Sequence, residues 1–147
     1  MTLPELEALM DRHFASWRQF STIVALGDND ITVRMPFRKD LMRAGGTISG
    51  PALMALADTA AYFITLVHAG PAPGAATANL DIHFLVRPKP DDIVATATML
   101  RLGRRLAVSK VDLLSGDQLV AHATVTYALP PDHQVLPTGS GQRSASE

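Results

Sequence analysis

The chain has 147 residues, no cysteine and a formal net charge of −1 at pH 7. The near-neutral charge gives no indication of binding to nucleic acid or to an anionic membrane, and the lack of cysteine excludes disulfides, thiolate metal sites and a cysteine nucleophile. Charged residues make up only 18% and hydrophobic residues 47%, so we expect a single domain with part of its surface covered in an oligomer.

The N-terminal stretch, residues 1–16, is predicted to form a short amphipathic helix, because Leu6, Leu9, Met10 and Phe14 fall on one side of it. Its start is acidic and lacks the pattern of a signal peptide, so a cytoplasmic location is expected. Two strands, 21–26 and 31–35, follow as a hairpin, and a polar loop leads on from them.

A long helix is predicted over residues 49–68, after a glycine-rich loop. Gly50 followed by Pro51 is typical of a helix start, although Ser49 could serve as the N-cap instead. The helix is apolar on nearly every side, but it is short for a membrane span and Asp58 interrupts it. We therefore expect a central helix wrapped by the rest of the domain.

Asp58 allows two interpretations, because a buried carboxylate is costly unless it is paired or hydrogen-bonded. It is either a structural residue bonded to a distant donor or a catalytic carboxylate in a cleft. The glycine-rich helix start before it favours the catalytic interpretation, because the free N–H groups there suit an oxyanion.

Residues 76–129 are predicted to form four strands joined by short turns, with a β-bulge between Val108 and Val111, where the apolar alternation slips. Residues 130–147 are predicted to be a disordered tail. The resulting class is α+β, with an antiparallel sheet curled around one central helix in a single domain over residues 1–129. Such a sheet leaves an edge strand that dimerisation can cover.

Histidines are candidate ligands for a metal, and arginines and lysines are candidate ligands for phosphate. The five histidines show no ligand-like spacing, so no metal site is predicted. Several basic residues lie in and beside two of the turns, where the alternatives are a solvated rim and a phosphate-binding patch. They are Arg87, Lys89, Arg101, Arg104, Arg105 and Lys110.

The chain resembles the hotdog-fold thioesterases of the PaaI-like, phenylacetate-pathway acyl-CoA type over residues 35–127. The resemblance is carried by residues 50–60 (GPALMALADTA), by the strand 77–86 running into Arg87-Pro88, and by residues 103–106 (GRRL). It implies a hotdog fold, hydrolysis of acyl-CoA thioesters without metal or cofactor, and a homodimer or dimer of dimers.

By position, the resemblance implies that Asp58 is the nucleophile or general base and that the Gly50 N–H polarises the thioester carbonyl. Thr77 matches a small hydroxyl residue that holds the water or the carboxylate. The chain departs from the family at Ser49, where histidine is common, and at Arg43, where asparagine or glutamine is frequent. Both replacements can donate hydrogen bonds, so they remain candidate catalytic residues.

The resemblance also implies that Arg87, Arg104 and Arg105 bind the phosphates of coenzyme A, and we expect Met54 and Tyr62 to contact substrate on the helix. A non-catalytic acyl-CoA-binding module is the alternative function. A hotdog dehydratase would usually carry a catalytic histidine at the position of Ser49.

Helix geometry predicts that the active site is shared between two subunits. Gly50 and Asp58 are eight residues apart, which corresponds to about 12 Å along the helix axis. The thioester carbonyl carbon must lie within about 3–3.5 Å of its attacking atom while the carbonyl oxygen meets the oxyanion donor, which one helix cannot arrange with its own Gly50 and Asp58. We therefore expect Gly50, Arg43 and Ser49 of one subunit to act with Asp58 and Thr77 of the other.

Overall fold

The computed structural model describes residues 1–131, and these form a six-stranded antiparallel sheet, a small two-stranded sheet and three α-helices. In chain order the elements are α1 (Leu3–His13), α2 (Trp17–Phe20), β1 (Thr22–Leu26), β2 (Asp30–Met35), β3 (Met42–Arg43), β4 (Thr47–Ile48), α3 (Gly50–Ala69), β5 (Ala76–Phe84), β6 (Ile93–Leu102), β7 (Leu106–Ser115) and β8 (Gln118–Ala128). Disorder is predicted for residues 130–147. All but the first two of these residues lie outside the described part of the chain.

Two short helices occupy the N-terminal stretch. α1 begins with a capping box in which Thr2 and Glu5 satisfy each other's backbone N–H groups. After α1 ends, Trp17 starts α2 with its ring buried and its Nε1 donating a hydrogen bond to Asp11 at 2.8 Å. This bond ties the two helices together, and both provide residues to the cavity described below.

The large sheet has the strand order β1-β2-β6-β7-β8-β5, and every neighbouring pair is antiparallel. α3 lies across its inner face, where Leu56, Phe63, Ile64 and Leu66 are fully buried. The predicted arrangement of an antiparallel sheet wrapped around one long central helix is therefore confirmed.

The apolar character of α3 is that of a core helix. It is long and apolar enough to cross a membrane by length and composition, but 67% of its most apolar window is buried inside the protein. Burial against the sheet accounts for the nearly continuous apolar surface seen in the sequence.

The β-bulge between β6 and β7 lies on the opposite strand from the one predicted. The register shifts between Met99 and Arg101 in β6, while β7 alternates without interruption from Ala107 to Leu113. The misleading residue is Ser109, which is buried on the inner face although it is polar. With Ser109 on the inner face, β7 needs no bulge between Val108 and Val111.

One face of the molecule stays uncovered within a single chain. β5 is an edge strand with seven exposed and two partly exposed residues, and large apolar side chains are exposed at its last residue and just after it. Phe84, Leu85 and Val86 are 51%, 53% and 39% exposed. α3 also exposes an apolar side chain near this face, that of Met54, which is 40% exposed.

Candidate active site

Asp58 sits two turns into α3 and is half-buried. Its Oδ1 accepts two hydrogen bonds, one from the Thr77 hydroxyl and one from the Tyr127 hydroxyl, each at 2.7 Å. The Tyr127 hydroxyl also lies 3.2 Å from the backbone carbonyl oxygen of Asp58. No hydrogen bond from any residue in the described part of the chain reaches Oδ2. One carboxylate oxygen is therefore anchored and the other is available for reaction.

The sheet register explains why these two hydroxyls meet the same oxygen. Thr77, at the start of β5, pairs directly with Tyr127, near the end of β8. Tyr127 is on the inner face, as alternation along β8 indicates, and α3 packs against both strands. A bulge after Thr77 then changes the register of β5. Two neighbouring strands thus present adjacent hydroxyl groups to the middle of the helix.

Beside Asp58 lies a cavity of about 510 Å³, which is open to solvent on one side. Asp58, Thr59, Thr77, Tyr127 and Ser16 are its main polar residues. Much of the remaining wall is aromatic or apolar and comes from α1, α2 and α3: Met10, Phe14, Trp17, Phe20, Tyr62 and Phe63. A carboxylate next to an apolar, aromatic chamber can act on a reactive group whose hydrophobic part fills the chamber.

Tyr62 organises the aromatic wall. Its ring meets Phe14 edge-on at 5.6 Å between centroids and lies 5.5 Å from the ring of Tyr127. Its hydroxyl donates to the backbone carbonyl of Pro73 at 2.9 Å, which fixes the segment between α3 and β5. Burial raises the pKa of Tyr62 to about 12 and also raises the pKa of Tyr127. Both phenols therefore remain protonated donors at neutral pH.

A second cavity of about 510 Å³ lies near the start of α3 and contains Gly50, Arg43 and Arg87. Gly50 is the first residue of the helix, so its N–H has no partner within the helix. The ring of Phe84 would lie 3.5 Å from a Cβ placed on Gly50, which is an ordinary contact. Two guanidinium groups and a backbone N–H without an intrahelical partner thus line this cavity among the described residues.

The glycine-rich loop forms the approach to this second cavity. Gly45 and Gly46 adopt φ values of 104° and 79°, which side chains other than glycine's rarely adopt, and they turn the chain from β3 into β4. Ser49 is the N-cap, because its hydroxyl oxygen accepts from the Ala52 N–H at 3.2 Å. This bond decides the cap in favour of Ser49 and leaves Gly50 as the first helical residue.

The predicted site residues thus fall into two groups within one chain. Asp58, Thr77 and Tyr62 line the first cavity, whereas Gly50 and Arg43 line the second. Met54 is exposed on α3 between the two groups. Ser49 belongs to the second group as the helix cap.

The three arginines expected to bind phosphate are also divided. Arg87 follows β5 and lines the second cavity, whereas Arg104 and Arg105 are exposed in the turn between β6 and β7. That turn lies at the other end of the sheet, where the Leu129 N–H donates to the Arg105 carbonyl at 2.8 Å. The three guanidinium groups do not form one patch in a single chain.

Tyr127 is the functional candidate that the sequence analysis missed. Alternation along β8 placed it on the same face as Ala121, Ala123 and Val125, and that face is buried. A buried tyrosine hydroxyl usually needs a hydrogen-bonding partner, and the buried face of this sheet meets the helix that carries Asp58. The alternation along β8, together with the need of a buried tyrosine for a partner, is the signal by which the sequence could have indicated Tyr127.

Comparison with known proteins decides the family. The sequence pattern of the Thioesterase superfamily matches residues 45–122. This range is more than half of the chain, and it includes the residues of α3 that line the two cavities. The chain belongs to the thioesterase superfamily. Thioester hydrolysis is accordingly its general activity, and the predicted resemblance to PaaI-like hotdog thioesterases is confirmed.

Individual relatives agree with this assignment. A protein from Silicibacter sp. TM1040, provisionally assigned as a thioesterase, is 36% identical to this thioesterase, with 86% and 90% of the two chains covered and a TM-score of 0.77. A variant of the phenylacetic acid degradation protein PaaI from Thermus thermophilus shares the fold at 24% identity and a TM-score of 0.67, over 86% and 99% of the chains. An esterase of provisional assignment from Thermoplasma acidophilum is 26% identical over 69% of this chain and 77% of its own.

Proposed function

We propose that this thioesterase hydrolyses acyl-CoA and that each active site is completed by two subunits of a homodimer. The observation that carries the proposal is the state of Asp58: Oδ1 is fixed by Thr77 and Tyr127, and Oδ2 accepts no hydrogen bond from the described residues. A carboxylate held in this way beside a cavity can attack a carbonyl or activate water.

The proposed reaction needs an oxyanion donor that the same chain cannot supply. Water, deprotonated by Asp58, would attack the carbonyl carbon, and the resulting tetrahedral oxyanion would collapse by expelling the coenzyme A thiolate, which then takes up a proton. In the nucleophilic alternative, Asp58 attacks the carbonyl carbon and expels the coenzyme A thiolate, which takes up a proton, and water then hydrolyses the acyl anhydride and frees Asp58. In both routes the Gly50 N–H of the partner subunit would stabilise the oxyanion.

The position of β5 supports the pairing of two subunits. β5 is one of the two edge strands of the large sheet in the described part of the chain, β1 being the other, so its outward backbone groups can pair with another strand. Thr77 and Asp58 lie at the start of β5, whereas Phe84 and Gly50 lie at its end. If two copies of β5 pair in antiparallel fashion about a two-fold axis, the start of each strand meets the end of the other. That arrangement would bring Asp58 of one subunit towards Gly50 of the partner subunit.

The uncovered apolar surface supports the same arrangement. Phe84, Leu85 and Val86 expose their side chains beside the second cavity, and Met54 extends the surface along α3. An exposed, contiguous apolar patch of this kind is typical of a protein–protein interface. Dimerisation through β5 would bury this patch together with the strand edge.

The same pairing would gather the divided arginines. The β6–β7 turn with Arg104 and Arg105 lies at the end of the sheet where β5 begins, because Leu106 pairs with Ala128 and Ala128 with Ala76. In a two-fold dimer this end faces the segment after β5 of the partner subunit, which carries Arg87. Guanidinium groups suit phosphate recognition, so we assign them to the phosphates of coenzyme A.

The cavity beside Asp58 is the proposed acyl site. Its aromatic and apolar wall would surround the acyl group, with Tyr62 in direct contact and the carbonyl directed towards Asp58. We also propose a cytoplasmic location, where acyl-CoA is available. The alternative of a non-catalytic binding module is disfavoured by the assignment of the chain as a thioester hydrolase.

A thiol-release assay over a panel of acyl-CoA substrates, run on the wild type and on Asp58→Asn, tests the proposal. We expect Asp58→Asn to fold normally and to lose at least about 100-fold in kcat, which corresponds to about 2.7 kcal/mol of transition-state stabilisation. The matched control is Asp117→Asn, the same chemical change in the exposed turn between β7 and β8, which should retain normal turnover. Near-normal hydrolysis by Asp58→Asn would contradict the proposed role of Asp58.

A further inference from the structure

Tyr127 differs from Thr77 in ways that matter to the carboxylate they share. Both hydroxyls donate to Asp58 Oδ1 at 2.7 Å, but Tyr127 is 5% exposed whereas Thr77 lies exposed on the edge strand. Water can compete for the threonine hydroxyl, and dimerisation through β5 would alter its surroundings. The tyrosine hydroxyl reaches Asp58 from a central strand of the sheet and is shielded from solvent.

We propose that Tyr127 is a positioning residue, which fixes the Asp58 carboxylate through Oδ1 so that Oδ2 remains the reactive oxygen. This inference rests on the proposed function, in which Asp58 performs the chemistry. Tyr127 does not touch the thioester in this role. It sets the rotation of the carboxylate and stabilises its ionised form by donating a charge-assisted hydrogen bond.

The surroundings of Tyr127 hold its hydroxyl in place. Its ring packs 5.5 Å from the ring of Tyr62, which is itself tied to Pro73 and contacts Phe14. The hydroxyl lies 3.2 Å from the Asp58 carbonyl as well as 2.7 Å from Oδ1, so it follows both the side chain and the helix backbone. Burial raises the pKa of Tyr127, so its proton stays in place as a donor over the whole range in which the carboxylate ionises.

The test uses Tyr127→Phe, which keeps the ring and removes only the hydroxyl. Protein labelled with ¹³C at the aspartate carboxyl carbons is titrated by NMR without substrate, and Asp58→Asn identifies the Asp58 signal by its loss. We expect the Asp58 signal to titrate at higher pH in Tyr127→Phe than in the wild type, because the ionised carboxylate loses a donor. The acid limb of the pH–kcat profile should rise equally, and kcat at its optimum should fall about tenfold with little change in KM.

Two further variants serve as comparisons. Tyr62→Phe removes a phenol hydroxyl from the same cavity wall, but one that donates to Pro73, so the Asp58 titration should not shift. Thr77→Val removes the other donor and should shift the midpoint in the same direction, and the double variant with Tyr127→Phe should shift it further than either single change.

Several outcomes would overturn the inference. An unshifted Asp58 midpoint in a folded Tyr127→Phe variant, with only a lower melting temperature, would show that the hydroxyl merely stabilises the fold. Loss of an alkaline limb from the pH–kcat profile would show that Tyr127 transfers a proton itself. Because the titration needs no turnover, it reports the Tyr127–Asp58 hydrogen bond separately from catalysis. An active Asp58→Asn variant would refute the proposed function, whereas an unshifted midpoint beside an inactive Asp58→Asn variant would refute this inference alone.

Discussion

Gly50 combines two properties at the residue scale that suit an oxyanion donor. As the first residue of α3 its N–H has no partner within the helix, and Ser49 before it satisfies the Ala52 N–H instead. Ser49 has φ −72° and ψ 151°, an extended conformation compatible with a following proline. The first helical position is also where proline is tolerated best. Proline at position 50 would remove the N–H without costing α3 a hydrogen bond, and because Pro51 follows directly, the melting temperature must show that the variant folds.

We predict that Gly50→Pro folds and loses about 100-fold to 1,000-fold in kcat, the usual cost of one oxyanion donor. Gly50→Ala is the matched control, because it adds a Cβ near Phe84 at an ordinary contact distance but keeps the N–H. The measurements are circular dichroism, melting temperature and thiol-release kinetics. Equal losses in both variants would indicate that space at this position, rather than the N–H, is what the reaction requires.

The sequence predicted the candidate residues better than their partners. Asp58 stood out as a charge in an apolar helix, and Thr77 was reached through its matching position in the resembling family. Tyr127 could not be assigned to Asp58 from the sequence, because 69 residues separate them and their contact depends on how α3 crosses β8. The contact follows from the packing of the helix on the sheet, which no local pattern encodes.

At the scale of the elements, local patterns predicted the long helix and the strands but not the details of their register. α3 begins within one residue of the predicted start, because a capping serine, a proline at the helix start and a long run without further glycine or proline all agree. The bulge was predicted on the wrong strand for two reasons. Ser109 is buried but polar, so it resembles a surface residue, and Ala107 is buried but too small to mark the inner face clearly. The order of strands in the sheet, which makes β5 the edge, is set by long-range pairing.

The β6–β7 turn is an element whose proposed role can be isolated. Replacing Arg104 and Arg105 by alanine should raise KM for acyl-CoA by about tenfold, a moderate effect because exposed charges are partly screened. Thioesters of N-acetylcysteamine, which lack the nucleotide, should be hydrolysed almost normally. Arg34→Ala is the control, because it removes a positive charge from β2, far from this turn. Equal damage with both substrate types would instead indicate that the turn supports the fold or the reaction centre.

At the scale of the whole molecule, the two cavities lie at opposite ends of one strand, β5. Thr77, which donates to Asp58, and Phe84, which lies beside Gly50, are seven residues apart on β5, or about 23 Å at about 3.3 Å per residue. Asp58 and Gly50 themselves are about 12 Å apart along the axis of α3, a distance that one chain cannot shorten. A two-fold axis through paired β5 strands would bring the two groups together twice, once at each end of the strand pair. It would therefore produce two equivalent sites per dimer.

This arrangement predicts that two inactive variants restore each other. Asp58→Asn and Gly50→Pro are mixed in equal amounts under conditions that exchange subunits, and heterodimers are quantified by native mass spectrometry. Each heterodimer then contains one intact composite site and one doubly damaged site, so random exchange should restore about a quarter of wild-type activity, because about half of the dimers are mixed and each has half its sites. If Gly50 and Asp58 acted within one chain, every site in the mixture would carry a damaging substitution and no activity would return. Heterodimers without recovered activity would therefore refute the shared site, whereas activity that rises in step with their abundance would establish it.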